Sequence, residues 1–412
     1  MMVNKMKVVY FISLSLFLIC LASCKKSTEP IGNENPPIGF QKDVQWPSLA
    51  DSPWPMAHHD PQNTGRSNFW GPSSGIISWE YEEAYKMVNS IVLGPDSTAY
   101  ILIPPGNGGL FAFKPDGTIK WKLNILAVAF NYTTPIITSD GTIFCYDGNR
   151  TVFAVNPEGS INYTFNLETT TGTPTFAIDK EGNFYFVDFN KTLYVIDQEG
   201  NVQWTLQDDL FNNWSTYPSF SPDGNTLYII GYGPTLSAVD ITSRQIRWRF
   251  QSDFGSVFGA VVDSYGNIYF LTQRTYQEAE MFALKPNGEI KWSFKIRSSN
   301  LRIKVNIPTI DKNGNLYFAT DSLYSLDFQG NLNWKRDLNN NISDCPLICD
   351  YNGSVYIGAR GAQMSLIAFN SSGDLLWEIN DLQNGVGGSP AIGFSELLYF
   401  PTWESEKIYC IK

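Results

Sequence analysis

The sequence predicts an all-β fold, an eight-bladed β-propeller of four-stranded antiparallel blades, and three observations carry that expectation. A unit ending in Gly-x-(Ile/Val/Leu)-x-Trp recurs, with small variations, eight times; its closing aromatics are Trp79, Trp121, Tyr163, Trp204, Trp248, Trp292, Trp334 and Trp377. Seven steps separate the first from the last, a mean of about 42.6 residues, the length of one propeller blade. The array also has complementary ends. Gly75-Ile76-Ile77-Ser78-Trp79 is a Trp strand with no blade before it, whereas Ser389 to Ile411 supplies the other strands of a blade and stops without a Trp. Joining the two completes an eighth blade and removes two exposed sheet edges.

Residues 1–23 read as an export signal. Lys5 and Lys7 form a basic start, and Val8 to Ile19 an apolar core shorter than the ~20 residues a spanning helix needs. Leu21-Ala22-Ser23-Cys24 resembles a bacterial lipobox, which implies cleavage before Cys24 and acylation of that residue. Residues 24–52 are rich in Pro, Gly, Asn and Ser and lack periodicity, so they read as a lipidated Cys and flexible tether. Lys25 stands where an inner-membrane retention signal of enteric lipoproteins has Asp, so the expected location is the cell envelope, with the outer membrane favoured. The net charge is −11, and −13 once Lys5 and Lys7 leave with the signal. Such a surface disfavours nucleic acid and anionic headgroups.

Residues 53–412 form the predicted propeller. Each unit holds an aromatic after a turn (Tyr100, Phe144, Tyr185, Tyr228, Tyr269, Tyr317, Tyr356, Tyr399), then a strand with a small residue such as Ala112, Ala238 or Ala283, then the Trp strand. In that last strand an apolar residue precedes the Trp by two, as in Ile119 with Trp121, and period-two alternation puts both on one side of the sheet. An indole burying on the order of 200 Å² per unit then joins blade to blade. Turns such as Pro115-Asp116-Gly117 supply the fixed φ of Pro and the permissive φ of Gly.

Of the cysteines, Cys20 leaves with the signal, and Cys145, Cys345, Cys349 and Cys410 remain with Cys24. Cys345 and Cys349, ~13 Å apart at strand rise, are too distant for a disulfide. Cys410 takes the place of Ala112, Ala154, Ala238, Ala283 and Ala368 and reads as a small buried side chain.

The repeat is similar to the pyrroloquinoline-quinone (PQQ)-like propeller repeat. Ala238-x-Asp240-x-x-Ser243-Arg244-x-x-x-Trp248 is its best match, and Trp54-Pro55-Met56, Asp60 and Thr64-Gly65 resemble the segment that precedes such propellers. The resemblance spans Pro53 to Lys412. It implies one of two activities: a quinoprotein dehydrogenase holding PQQ and calcium, or a lipoprotein like BamB, the β-barrel assembly-machinery scaffold, which only binds proteins. Dehydrogenases of this type stack PQQ on a disulfide of adjacent cysteines, and the chain has no Cys-Cys pair; its repeat spacing stays within 41 to 44 residues, without long insertions. The expectation is therefore a non-enzymatic, monomeric scaffold with an envelope protein partner, no cofactor and no catalytic or metal residues. A PQQ-dependent or cofactor-binding protein and a surface glycan-binding lipoprotein are the alternatives.

His58-His59-Asp60 is the only histidine cluster. Adjacent side chains on an extended segment point apart, so the pair reads as part of a structural strap rather than a chelate. Asp311-Lys312-Asn313-Gly314-Asn315 lacks the distant Glu of a calcium loop and has equivalents in most units, which marks hairpin turns. Trp70, Trp214 and Trp403 fall in irregular segments as candidate binding anchors.

Overall fold

Short apolar strands bounded by Gly, Asn and Asp turns fold into eight antiparallel sheets in the computed structural model of the chain, a β-propeller. The structure describes residues 36–412 except 83–88, 104–107, 126–132, 170–175, 212–216, 232, 234, 254, 256–258, 276, 298–305, 339–341, 344–345, 361–364, 381, 383–387 and 403–406. The signal, Cys24, Cys345, Trp214 and Trp403 lie outside the described residues. Among those described, no helix is long and apolar enough to cross a membrane.

The first blade sets the pattern: strands A to D are Val92–Leu93, Ala99–Ile103, Gly109–Phe113 and Ile119–Leu123, hydrogen-bonded in that order. Strands A, B and C are buried throughout, whereas D mixes exposed and half-buried residues. This is why the inner strands read as continuous apolar runs and only the outer one is amphipathic. Six further blades repeat the order within 136–166, 177–207, 219–251, 261–297, 309–337 and 342–379, the last with an extra two-residue strand, Ile342–Ser343, on its B strand. The eighth blade takes three strands from 391–411 and its fourth, Ile77–Glu82, from the start of the ring. Ile77–Glu82 pairs with Lys407–Ile411, Trp79 lies opposite Cys410, and Lys407 bonds Glu80 at 2.9 Å. The expected closure is therefore the observed one, and Cys410 is a fully buried small residue.

One expectation about the D strand is corrected. All eight carry a β-bulge between the apolar residue and the aromatic two positions on: Trp121 lies opposite Ala112, but Ile119 lies opposite Phe113, leaving Lys120 as the extra residue. The one-residue shift breaks the alternation, so the pair does not share a side. Ile119, Ile161, Ile290, Leu332 and Leu375 are exposed as a result.

The aromatics link the blades in a relay. Strand B Tyr and strand D Trp meet over the strand C residue between them, small in six blades and Val195 in the third, with ring centroids 5.7 to 6.1 Å apart in seven blades. The indole then crosses to the next blade. Its Nε1 donates to a carbonyl of the C–D turn there: Trp79 to Pro115 at 3.0 Å, Trp121 to Pro157 at 2.9 Å, Trp248 to Pro286 at 3.0 Å, Trp292 to Phe328 at 3.2 Å and Trp334 to Ser371 at 2.8 Å. Trp377 closes the circuit onto Pro72, ahead of the N-terminal strand, at 3.0 Å. The turn glycine serves two ends at once. Gly117 has φ +87°, and a Cβ on it would lie 2.6 Å from the Trp79 ring. The fourth blade departs from this: Arg244, at φ 58°, replaces the glycine, and its guanidinium stands 5.9 Å over Trp204.

Candidate functional site

The inner strands leave backbone groups facing the axis, and the chain before the first blade satisfies them. Residues 39–50, which composition places in the tether, lie against the ring because they carry apolar and hydrogen-bonding anchors. Gln41 N–H bonds the Lys312 carbonyl in the sixth blade at 2.8 Å, and its side-chain oxygen accepts from Ser264 N–H in the fifth. Trp46 packs on Phe220 in the fourth blade and donates to the Ile178 carbonyl in the third at 3.0 Å. Ser48 bonds Asp179, and Ala50 N–H reaches the Ile137 carbonyl of the second blade at 3.0 Å. This outer arc runs from the sixth blade back to the second.

The chain then reverses and runs an inner arc. Inner-strand N–H groups of Leu93, Ile137, Phe220, Val262, Ile310 and Cys349 donate to the carbonyls of Trp54, Pro55, Pro61, Gln62, Thr64 and Gly65, at 2.7 to 3.2 Å. Twelve residues thus touch six blades in ring order, which places their backbone on the inner side of the ring.

His58, His59 and Asp60 sit in this arc. The segment is not extended: His58 has φ 56° and His59 φ 77°, both left-handed, so the reason expected for the two rings diverging is wrong even though they do part. His58 is fully buried against Tyr217, edge to face at 4.6 Å, and neither ring nitrogen has a partner among the described residues. Burial outweighs the attraction of Asp60 and pushes its pKa down to about 3, so the ring is neutral. His59 instead contacts Asp60 at 3.2 Å and Trp54 edge-on. Burial alone would raise the Asp60 carboxyl, but His59 and Thr64 hold it below the ordinary carboxylate range. One Asp60 oxygen accepts from Gln62 and Thr64 N–H at 3.1 and 3.0 Å, the other from the Thr64 hydroxyl. The carboxylate is a loop brace.

Between the two arcs lies a bowl of about 590 Å³, open on this face of the ring, lined by Asp43, Trp46, Asp51, His59, Asp60 and Phe69 and closed from the eighth blade by Phe394. Asp43 is held by Lys312 at 2.8 Å. Trp70, next to the wall, is half exposed. Sequence reasoning missed this bowl because half of its wall belongs to the presumed tether; Trp46 and Leu49, isolated apolar residues in a polar stretch, were the available signal.

The repeated turn aspartates have a structural task. Asp311 Oδ1 accepts from Asn313 and Asn315 N–H at 2.9 and 2.8 Å, and Oδ2 from the Tyr317 hydroxyl at 2.8 Å; Asp179 with Tyr185 and Asp263 with Tyr269 repeat the lock. Burial raises the Asp263 and Asp350 carboxyls. Among the described residues no group of three or more His, Cys, Asp or Glu could hold a metal ion.

No protein-family model and no curated protein matches the chain. Solved structures do. BamB from Moraxella catarrhalis matches with a TM-score of 0.59 at 13% identity, over 82% of this chain and 99% of its own. The quinohemoprotein alcohol dehydrogenase of Comamonas testosteroni matches with a TM-score of 0.64 at 11% identity, over 89% of this chain and 81% of its own. Virginiamycin B lyase from Staphylococcus aureus matches at 0.50 and 16% identity, over 68% and 94%. At such identities the likeness is one of fold.

Proposed function

We propose that this propeller belongs with the PQQ-like, BamB-like lipoproteins and is a non-enzymatic, protein-binding scaffold of the bacterial cell envelope, anchored through Cys24, with a partner in outer-membrane protein assembly. The observation that carries this reading is the inner arc, whose backbone bonds the inner strands of six blades where the ring opens on its axis. The groups there do not fit a quinone and its calcium ion. Asp60 is spent on His59, Thr64 and Gln62; the Asn63 amide is spent on the Tyr217, Pro218 and Ala260 carbonyls; His58 is enclosed by Tyr217. What is left for recognition is surface: the bowl, the loops and the outer D strands, whose free edges suit strand-like peptides.

Photo-crosslinkers at Trp70 and at exposed D-strand positions, in the native envelope, test this. The expected product is a reproducible adduct with an outer-membrane assembly component, and recovery of no envelope protein contradicts it. The redox alternative is tested by adding PQQ and calcium to the purified chain and measuring dye-linked alcohol or sugar oxidation. No turnover is expected. The bowl favours glycan binding as a second reading, since aromatics (Trp46, Phe69, Phe394) and carboxylates (Asp43, Asp51) ring one opening; a glycan-array signal lost with Asp51→Ala supports it.

A further inference from the structure

We propose that the corner of the ring between the fifth and sixth blades, where the lead-in first meets the propeller, is the surface that rests against the lipid bilayer. Four apolar side chains converge there. Ile38 is 75% exposed and Tyr265, on the A–B turn of the fifth blade, 52%. The Tyr265 ring lies 5.5 Å from Phe328 in the C–D turn of the sixth blade, and its hydroxyl donates to the Phe40 carbonyl at 3.0 Å.

The turn that presents Ile38 is built, not incidental. Phe40 N–H bonds the Pro37 carbonyl at 3.0 Å, a β-turn with Gly39 at its third position and φ +91°. Gly39 lies so close to Phe328 that a Cβ would be 2.6 Å from the ring, so the turn is seated on the sixth blade and Ile38 points away from it. By contrast, Ile119, Ile161, Ile290 and Leu332 are exposed one to a blade at a repeated position, the scatter expected of any soluble surface.

Charge agrees with the placement. In a chain that carries −13 without its signal, this corner holds Lys42, exposed, Lys312 at 5.4 Å over the Phe40 ring and Lys291 at 3.3 Å over Phe328. Asp43 neutralises Lys312, so the corner is not strongly basic, but Lys42 and Lys291 offset the acidic balance of the chain there and lessen repulsion from an anionic bilayer. An aromatic with a polar tip beside lysines is the composition favoured at a membrane–water boundary.

The occupant follows from where the chain goes. Cys24 lies twelve residues before Pro36, the first described residue, a span of at most about 43 Å when fully extended. A body of this length is about 50 Å across, so the anchor keeps this corner within reach of the bilayer and excludes the inverted orientation, in which the opposite side of the ring rests on the lipid and this corner stands farthest from it. The inference rests on the lipid-anchor reading of Cys24.

The test uses the full-length lipidated protein in phosphatidylethanolamine and phosphatidylglycerol vesicles with brominated acyl chains. An environment-sensitive fluorophore is placed through Ile38→Cys, Tyr265→Cys or Phe189→Cys in a Cys345→Ser background; Phe189 is 46% exposed in the B–C turn of the third blade, at the opposite end of its sheet. The Ile38 and Tyr265 probes should lose at least about half their emission while the Phe189 probe keeps its own. Vesicle flotation separates the two ways of failing. Protein that floats with Ile38 unquenched, or with Phe189 quenched equally, overturns the orientation and leaves the anchor standing. Protein that does not float refutes the anchor, and the orientation with it.

Discussion

The outer belt of the ring and its axis are held by opposite strategies. Around the belt, one relay of Tyr, small residue, Trp and next-blade turn is repeated with little change, and seven Tyr–Trp pairs agree to within half an ångström. At the axis, a single non-repeating segment meets six blades, each through a different residue. Redundancy makes each belt contact a local asset. The inner arc has no second copy, so damage there reaches several blades together.

The sharpest way to break this comparison is at Trp54, the residue of the inner arc that is fully buried against the first blade. Trp54→Ala should cost about 4 kcal/mol by denaturant unfolding, more than any single belt change. Next is the belt itself. Gly117→Val demands a left-handed β-branched residue and drives a Cβ into the Trp79 ring, and should cost about 3 kcal/mol. Its amide-exchange increase should stay within the first and eighth blades, whereas that of Trp54→Ala should extend beyond them.

Acid supplies a third probe, which reaches the axis through His58. His58 is neutral when folded, with a pKa of about 3, and near its ordinary 6.5 when unfolded, so the unfolded chain binds the extra proton. Stability from this site is therefore complete above pH 6.5 and is lost as pH falls toward 3. The loss should be about 3 kcal/mol by pH 4.5, and His58→Leu should remove that slope from a series of urea melts. The smallest effect is expected at the one irregular belt position. Arg244→Gly relieves a left-handed non-glycine residue at the loss of an exposed cation–π contact, and should gain up to about 1 kcal/mol in thermal unfolding.

The same contrast explains what could be read in advance. The belt was legible because it repeats: the spacing of Trp79 to Trp377, the small residue between Tyr and Trp, and the orphan Trp strand all have counterparts within the sequence to compare with. The bulge was not, since Ile119-Lys120-Trp121 looks the same whether or not Lys120 is extra; the register is set by the partner strand and the turn. The axis was illegible for a related reason. Nothing in the chain repeats residues 39–65, and Pro, Gly and Asn there are as much the tools of a fitted arc as of a loose tether. By sequence His58 and His59 read as extended neighbours, but two left-handed residues in succession leave no mark on composition.

Axis and belt differ because the lead-in occupies the inner side of the ring. Amide exchange in the full-length protein at Leu93, Ile137, Phe220, Val262, Ile310 and Cys349, the six inner-strand donors, reads that arrangement directly. Protection comparable to the buried B strands is the predicted result. Exchange at those six positions as fast as in solvent-exposed turns, with the B strands still protected, would mean that the axis stands open and the arc lies elsewhere.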